Sequence, residues 1–256
     1  MNKKDLPLPQ FCLLAILGGV FIAFGGLLSV VVAGGIPGVG VMNPRLVKFV
    51  AGLLFPVGLI MVSITGADLF TSDCAAFTFV SLQRKIKIQT FCKYLLLSYL
   101  FNFVGTQIVA FLLSYEVGLL DKYPWQAYLY HYCDTKVNQD FIKVFIKGIG
   151  ANWLVCLGMF MGYAAKDILG KCIGIWIPVM LFVTLGYEHS IANIFFVPAA
   201  IYSGADISWF SFISQNLIPA TLGNVIGGGS ICWLHLLVSI SQEGNGSKRK
   251  TATSLT

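Results

Sequence analysis

The chain has 256 residues, of which 57% are hydrophobic and only 11% are charged, whereas soluble domains carry about 25% charged residues. This deficit excludes an ordinary water-soluble domain and indicates that most of the surface faces lipid. The net charge of +6 falls mostly in short loops rather than on a basic helix, which argues against a nucleic-acid partner. The sequence has no metal-ligand spacing, phosphate-binding loop or nucleophile paired with a base. We therefore expect no enzyme, no cofactor and no bound metal.

In chain order, the apolar segments predict six transmembrane spans, because about 20 apolar residues cross the hydrocarbon core of a bilayer. The spans are placed near residues 10–34, 46–83, 90–115, 143–164, 171–203 and 216–241. We expect the whole chain, 1–256, to be a single transmembrane domain. Its two halves cover about 10–115 and 143–241, and a cytoplasmic tail covers 242–256.

Lysine and arginine residues predict the direction of the spans, because short cytoplasmic loops are enriched in them. Eleven of the 17 basic residues fall on one predicted side of the membrane. These are Lys3, Lys4, Arg84, Lys85, Lys87, Lys93, Lys166, Lys171, Lys248, Arg249 and Lys250. We therefore expect a multi-pass protein of the plasma (inner) membrane with both termini in the cytoplasm.

The two halves of the sequence resemble each other. Gly66 in span 2 matches Gly186 in span 5, and Asn102 in span 3 matches Asn224 in span 6. With three spans in each half, the second half enters the membrane in the opposite direction. The sequence thus predicts an inverted 3+3 repeat in which spans 2 and 5 are interrupted, and such interruptions mark the substrate site in transporters.

Charged and polar residues occupy both interruptions, although one charge at the centre of a bilayer costs roughly 2.5–3.5 kcal/mol. Glu188 and His189 in span 5 therefore indicate a pathway for a polar solute. Thr71 in span 2 can donate a hydrogen bond to an anion from a neutral hydroxyl. Asp68 and Asp73 are either ion ligands or, in the reading we favour, caps of the half-helices on either side of the break.

His189 is interpreted as a pore residue because it follows the break at Gly186, although a lone histidine on an apolar face is more often a packing residue. Its imidazole can gain or lose a proton near neutral pH. Glu188 is expected to accept hydrogen bonds from backbone N–H groups, because beside a permeating anion it would repel. Four apolar residues are either narrow gates or ordinary packing: Phe55, Leu59, Phe70 and Phe182.

Several long motifs, in the right order, resemble the formate/nitrite transporter family. They are GADLFTS at 66–72, NWLVCL at 152–157, GYEHSIANIFFVP at 186–198 and NLIPATLGNVIGGG at 216–229. The resemblance covers nearly the whole chain. It implies an all-α membrane protein with an aquaporin-like protomer of six transmembrane helices, assembled as a homopentamer with one pore in each protomer.

The resemblance also implies roles for individual residues. Thr71 and His189 would flank a central chamber, Asn152 would belong to the substrate pathway, and Lys136 would attract anions at the outer mouth. The apolar constrictions would be formed by Leu59 and Phe70 towards the cytoplasm and by Phe55 and Phe182 towards the periplasm. Leu69 would be a further constriction residue, on the loop that breaks span 2 together with Phe70 and Thr71. Glu188 and Asn193 would be supporting residues.

Together these features predict a channel for small monovalent anions, formate foremost, either passive or coupled to protons. Its partners would be the anion, protons, the lipid bilayer and further copies of the chain. Nitrite and hydrosulfide are alternatives, because each is also a small conjugate base of a weak acid. An aquaporin-type pore for neutral solutes is a further alternative, but the breaks lack the Asn-Pro-Ala pair of that class.

Overall fold

The computed structural model describes residues 6–82 and 87–230, and all the regular structure within these ranges is helical. The helices are α1 (Leu8–Gly34), α2 (Pro37–Met42), α3 (Pro44–Leu54), α4 (Val57–Thr65), α5 (Phe70–Leu82), α6 (Ile88–Gln107, extended by π-helical turns over Ile108–Tyr115), α7 (Trp125–Val137), α8 (Phe141–Ala164), α9 (Ile168–Leu185), α10 (Ser190–Tyr202) and α11 (209–230). Outside the described residues lie the end of span 6 at 231–241, the tail at 242–256 with its three basic residues, and four further basic residues used to predict orientation. Those four are Lys3, Lys4, Arg84 and Lys85.

Five helical segments in the described ranges are long and apolar enough to cross a membrane. They are Leu8–Gly34, Pro44–Thr65, Ile88–Tyr115, Phe141–Ala164 and Ile168–Leu185. Each begins two or three residues before the predicted start of its span. The sixth predicted span begins within α11, and the rest of it lies beyond the described residues.

In spans 2 and 5, four residues separate the helix before the break from the helix after it. In span 2 the first of these helices ends at Thr65, and the next begins at Phe70. In span 5 the corresponding positions are Leu185 and Ser190. The breaks are thus 66–69 and 186–189.

A glycine in the left-handed region starts each break, with φ of 76° at Gly66 and 70° at Gly186. Glycine adopts this conformation without the steric cost of a Cβ atom, and it commonly ends helices in this way.

The break in span 2 is shorter than expected. We expected Phe70 and Thr71 to lie on the loop with Leu69, but both belong to the first turn of α5. This turn closes because the N–H of Asp73 donates to the carbonyl of Leu69 at 2.9 Å. The Phe70 N–H, which has no partner inside the helix, donates to the side chain of Asn102.

Glycines allow close packing of helices at equivalent places in the two halves. A Cβ atom at Gly105 of α6 would collide with the carbonyl oxygen of Ile16 in α1. A Cβ atom at Gly227 of α11 would collide in the same way with the carbonyl of Ile149 in α8. Small residues let helix backbones approach in membranes. The close approach brings α6 and α11 against the two breaks.

Candidate functional site

The two breaks meet through Thr71 and His189. The Oγ1 atom of Thr71 lies 3.0 Å from Nε2 of His189, and both residues are buried, with exposed fractions of 0% and 3%. Thr71 lies in the first turn of α5, and His189 is the last residue of the second break. The structure therefore brings together the two side chains that we expected to flank a central chamber.

His189 also caps the helix that follows it. Its Nδ1 atom accepts a hydrogen bond from the backbone N–H of Ala192 at 3.1 Å, which satisfies one of the free N–H groups at the start of α10. Because Nδ1 is an acceptor here, the proton of a neutral imidazole must be on Nε2. The imidazole thus donates from Nε2 to the hydroxyl of Thr71.

Asn102 holds the first break in place. Its Oδ1 atom accepts from the N–H of Phe70 at 2.8 Å, and its Nδ2 atom donates to the carbonyls of Asp68 at 2.9 Å and Ala15 at 2.6 Å. The side chain is fully buried. It therefore joins both ends of the break to α1.

Asn224 does the same for the second break. Its Oδ1 atom accepts from the N–H of Ser190 at 2.8 Å, and its Nδ2 atom donates to the carbonyls of Glu188 at 2.8 Å and Gly148 at 2.9 Å. The sequence had shown only that Asn102 and Asn224 are matched in the repeat. This spacing was the signal for a role that sequence analysis did not assign to them.

Glu188 forms a buried ion pair with Lys136. The Nζ atom of Lys136 lies 2.8 Å from Oε2 of Glu188. The carboxylate also accepts from the side chains of Asn193 at 2.8 Å, Gln139 at 3.2 Å and Asn216 at 3.3 Å. Glu188 and Asn193, the two residues named as supporting, thus contact each other, and Asn216 and Gln139 are further members that sequence analysis missed.

The expectation that Glu188 accepts hydrogen bonds from backbone N–H groups was wrong. The N–H groups exposed by the break are already taken, because Ser190 donates to Asn224 and Ala192 donates to His189. The carboxylate instead lies against α7 and α11, where lysine and amide side chains meet it. Lys136 and Asn216 are distant from Glu188 in the sequence, so no local pattern could predict these contacts.

Lys136 was expected at an outer mouth, and the structure places it in a buried position, with 5% of its surface exposed. Its ammonium lies 5.0 Å from the ring centroid of Tyr132. Burial opposes the charged form, but the charge and hydrogen bond of Glu188, together with Tyr132 and Cys133, outweigh burial and raise the pKa of Lys136 above its usual value. The lysine therefore stays protonated, with its charge compensated by Glu188.

Two cavities meet at Lys136. The larger, which we call the vestibule, has a volume of about 700 Å³ and lies between α2, α3, α7 and α8. The smaller has a volume of about 20 Å³ and extends to His189, which is space for about one water molecule. The residues common to both linings are Tyr132, Lys136, Val183 and Phe196.

Phe55 and Phe182 line the smaller cavity between Lys136 and His189. Their ring centroids are 6.0 Å apart in an edge-to-face arrangement. The ring of Phe182 also stacks on the imidazole of His189 at 5.8 Å. These two residues therefore form an apolar collar next to the histidine.

The other predicted constriction residues lie deeper in the core. Leu59, Leu69 and Phe70 are buried, and none of them lines either cavity. The ring of Phe70 packs edge-on against Tyr99 at 4.8 Å. The structure thus brings Phe55 and Phe182 to the cavity that reaches His189, but not these three.

Asn152 and Asp73 also make contacts between helices. The Nδ2 atom of Asn152 donates to the carbonyl of Asn224 at 2.6 Å, and Asn152 lines neither cavity. The carboxylate of Asp73 accepts from the hydroxyl of Ser98 in α6 at 2.7 Å. Asn152 thus contacts the asparagine that holds the second break, and Asp73 joins α5 to α6.

Comparison with known proteins gives consistent results. The profile of the family described as Formate/nitrite transporter matches residues 1–238. The chain is 40% identical over 240 residues to the "Probable formate transporter" of Methanothermobacter thermautotrophicus, covering 88% of this chain and 87% of the relative. It is 33% identical over 248 residues to "Formate channel FocA" of Escherichia coli (strain K12), covering 89% of this chain and 85% of that relative.

A solved structure described as "Pentameric formate channel with formate bound" has the same fold. It superposes with a TM-score of 0.80 at 29% identity and covers 94% of this chain and 100% of that one. The matched family and the proteins named here are transporters and channels, not enzymes.

Proposed function

This chain belongs to the formate/nitrite transporter family, and on that premise we propose that it is a channel for small monovalent anions, formate foremost. Membership confirms the resemblance predicted from the motifs, the all-helical membrane fold and the prediction that the chain is not an enzyme. We further propose that it assembles as a homopentamer with one pore in each protomer. In this proposal both termini are cytoplasmic and the protein lies in the plasma (inner) membrane.

The contact between Thr71 and His189 is the observation that carries the proposal. A neutral imidazole donates from Nε2 at the point where both breaks meet. A small anion that reached this point would replace the hydroxyl of Thr71 as the acceptor. Both groups are neutral, so they can bind an anion without holding it as tightly as a fixed charge would.

The proposed path runs from the vestibule past Lys136, through the collar of Phe55 and Phe182, to His189. Because Glu188 compensates the charge of Lys136, the anion meets no unpaired carboxylate on the way. We assign the exit constriction to Leu59 and Phe70, as the family resemblance implies, together with Leu69. In this proposal Asn152 acts through its contact with Asn224, and Asn193 acts through its contact with Glu188. Both contacts would position the second break.

Proton transfer at His189 is the proposed means of crossing the apolar constrictions. The proton donor is the imidazolium form, which carries a proton on each ring nitrogen. An anion that takes its Nε2 proton becomes a neutral acid and leaves a neutral imidazole, and the neutral acid passes an apolar collar at a lower cost than a charge does. Because a protonated Nδ1 cannot accept from the N–H of Ala192, this step requires release of the bond that caps α10. The cycle closes when Nε2 takes up a proton and Nδ1 loses one, which restores the cap.

The test is solute uptake by liposomes that contain the purified protein. Formate, nitrite and hydrosulfide are supplied separately, and water flow is followed after an osmotic shock. Uptake of formate above that of empty liposomes supports the proposal, and the ratio of the three rates identifies the preferred anion. Rapid water flow without uptake of any anion would instead indicate a pore for neutral solutes.

A further inference from the structure

The vestibule contains two lysines whose charges no carboxylate among the described residues compensates. Among the described residues that line it, the carboxylate belongs to Glu188, the lysines are Lys48, Lys136 and Lys147, and the histidine is His131. Lys136 and Glu188 form the buried ion pair. The lining therefore retains the positive charges of Lys48 and Lys147.

The partners of these two lysines are neutral or absent within the described part of the chain. The ammonium of Lys147, on α8, donates to the amide oxygen of Gln139. Lys48, on α3, is exposed and has no hydrogen-bond or ion-pair partner among residues 6–82 and 87–230. The two side chains come from different helices and face one cavity.

We infer that Lys48 and Lys147 form an anion-recruiting site in the vestibule, in front of the buried Lys136–Glu188 pair. Its ligands are small monovalent anions with oxygen acceptors, such as carboxylates. The inference rests on the proposed function, and it assigns the first capture of the anion to these two residues. Lys136, buried and compensated, then belongs to the passage rather than to capture.

The arrangement suits capture and release. Uncompensated charges at the mouth of a cavity with low-dielectric walls raise the local concentration of counter-ions. Their reach depends on salt, because the Debye length is about 30 Å at 0.01 M ionic strength and about 8 Å at 0.15 M. Lys48 remains hydrated, so it attracts an anion without binding it tightly.

Gln139 connects this site to the buried pair. Its Oε1 atom accepts from Lys147, and its Nε2 atom donates to Oε1 of Glu188 at 3.2 Å. The amide orientation is thus fixed at both ends. The ammonium of Lys147 therefore lies two hydrogen bonds from the carboxylate of Glu188.

The experiment compares Lys48→Gln, Lys147→Gln and the double variant with the parent. Lys143→Gln is the matched control, because Lys143 is an exposed lysine on the same helix as Lys147 and does not line the vestibule. Initial rates of formate uptake into liposomes are measured over a range of formate concentrations, at about 0.01 M and about 0.15 M ionic strength. Lys48→Gln removes a charge without breaking a hydrogen bond among the described residues. Its effect therefore reports the loss of charge rather than a change of structure.

We expect the half-saturating concentration of formate to rise by about three- to tenfold at low ionic strength in the double variant, with the maximum rate unchanged. The difference should shrink at the higher ionic strength. A half-saturating concentration in the double variant equal to that of the parent and of Lys143→Gln would overturn the inference. A parent that takes up no formate would overturn the proposed function as well, so the two failures can be told apart.

Discussion

The carboxamides of Asn102 and Asn224 make the same three hydrogen bonds in opposite halves of the protein. Each accepts from the first N–H after a break, donates to the carbonyl two residues earlier, and donates to a helix of its own half. The inverted repeat is therefore a repeat of hydrogen bonds as well as of helices. It fixes the geometry that lets Thr71 reach His189.

Replacing either asparagine should destabilise the protein. Asn102→Ala and Asn224→Ala each leave one buried N–H and two buried carbonyls without this partner, and we expect each to lower stability by about 2–4 kcal/mol. Thermal unfolding in mild detergent measures the loss. Asn138→Ala is the control, because Asn138 is exposed and bonds only to Asp134. Equal melting temperatures for Asn138→Ala and the two buried variants would contradict the conclusion that Asn102 and Asn224 hold the breaks in place.

Glu188→Gln should be strongly destabilising, because it leaves the ammonium of Lys136 buried without its counter-charge. Breaking one side of a buried pair costs about 3–5 kcal/mol. The double variant Glu188→Gln with Lys136→Met removes both charges and should recover most of that loss. Glu116→Gln, at an exposed carboxylate, should have little effect. If the double variant were no more stable than Glu188→Gln, the unpaired ammonium would not be the cause.

His189 variants test the proposed proton transfer. His189→Phe keeps a planar ring but loses both the cap and the donor, and we expect a strong fall in formate uptake. His189→Asn keeps an acceptor for Ala192 and a donor, but it cannot titrate. Its uptake should survive without the rise towards low pH that we expect of the parent. Uptake by His189→Phe with the rate and pH profile of the parent would make the imidazole a packing residue.

The glycines that start the breaks can be tested with a control that differs only in backbone conformation. A Cβ atom at Gly66, Gly186 or Gly38 would meet no atom within 4 Å, but only the first two have positive φ. Gly66→Ala and Gly186→Ala should each cost about 1–2 kcal/mol. Gly38→Ala should be neutral or slightly stabilising, as measured by thermal unfolding. Equal effects at all three positions would mean that φ does not explain the requirement for glycine.

The sequence predicted the parts of the site that depend on local pattern. Gly66 and Gly186 interrupt apolar segments, and the matched spacing to Asn102 and Asn224 indicated an inverted repeat before any coordinates. These predictions needed only hydrophobic length, a glycine and a repeated interval. That Thr71 and His189 flank one chamber was implied by the family resemblance.

The partners of Glu188 could not be predicted in that way. Lys136 and Gln139 precede Glu188 by about fifty residues, and Asn216 comes from α11. Which of several polar side chains meets a buried carboxylate depends on the packing of α7 and α11 around it. For the same reason, the sequence placed Lys136 at a mouth when it is in fact buried.

The cap formed by His189 has a consequence for the direction of transport. With Nδ1 bonded to Ala192, the resting imidazole has one N–H donor, at Nε2, and an anion that arrives from either side meets that same atom. Net movement would then follow the gradients of the anion and the proton, and the same protein could export formate in one condition and import it in another.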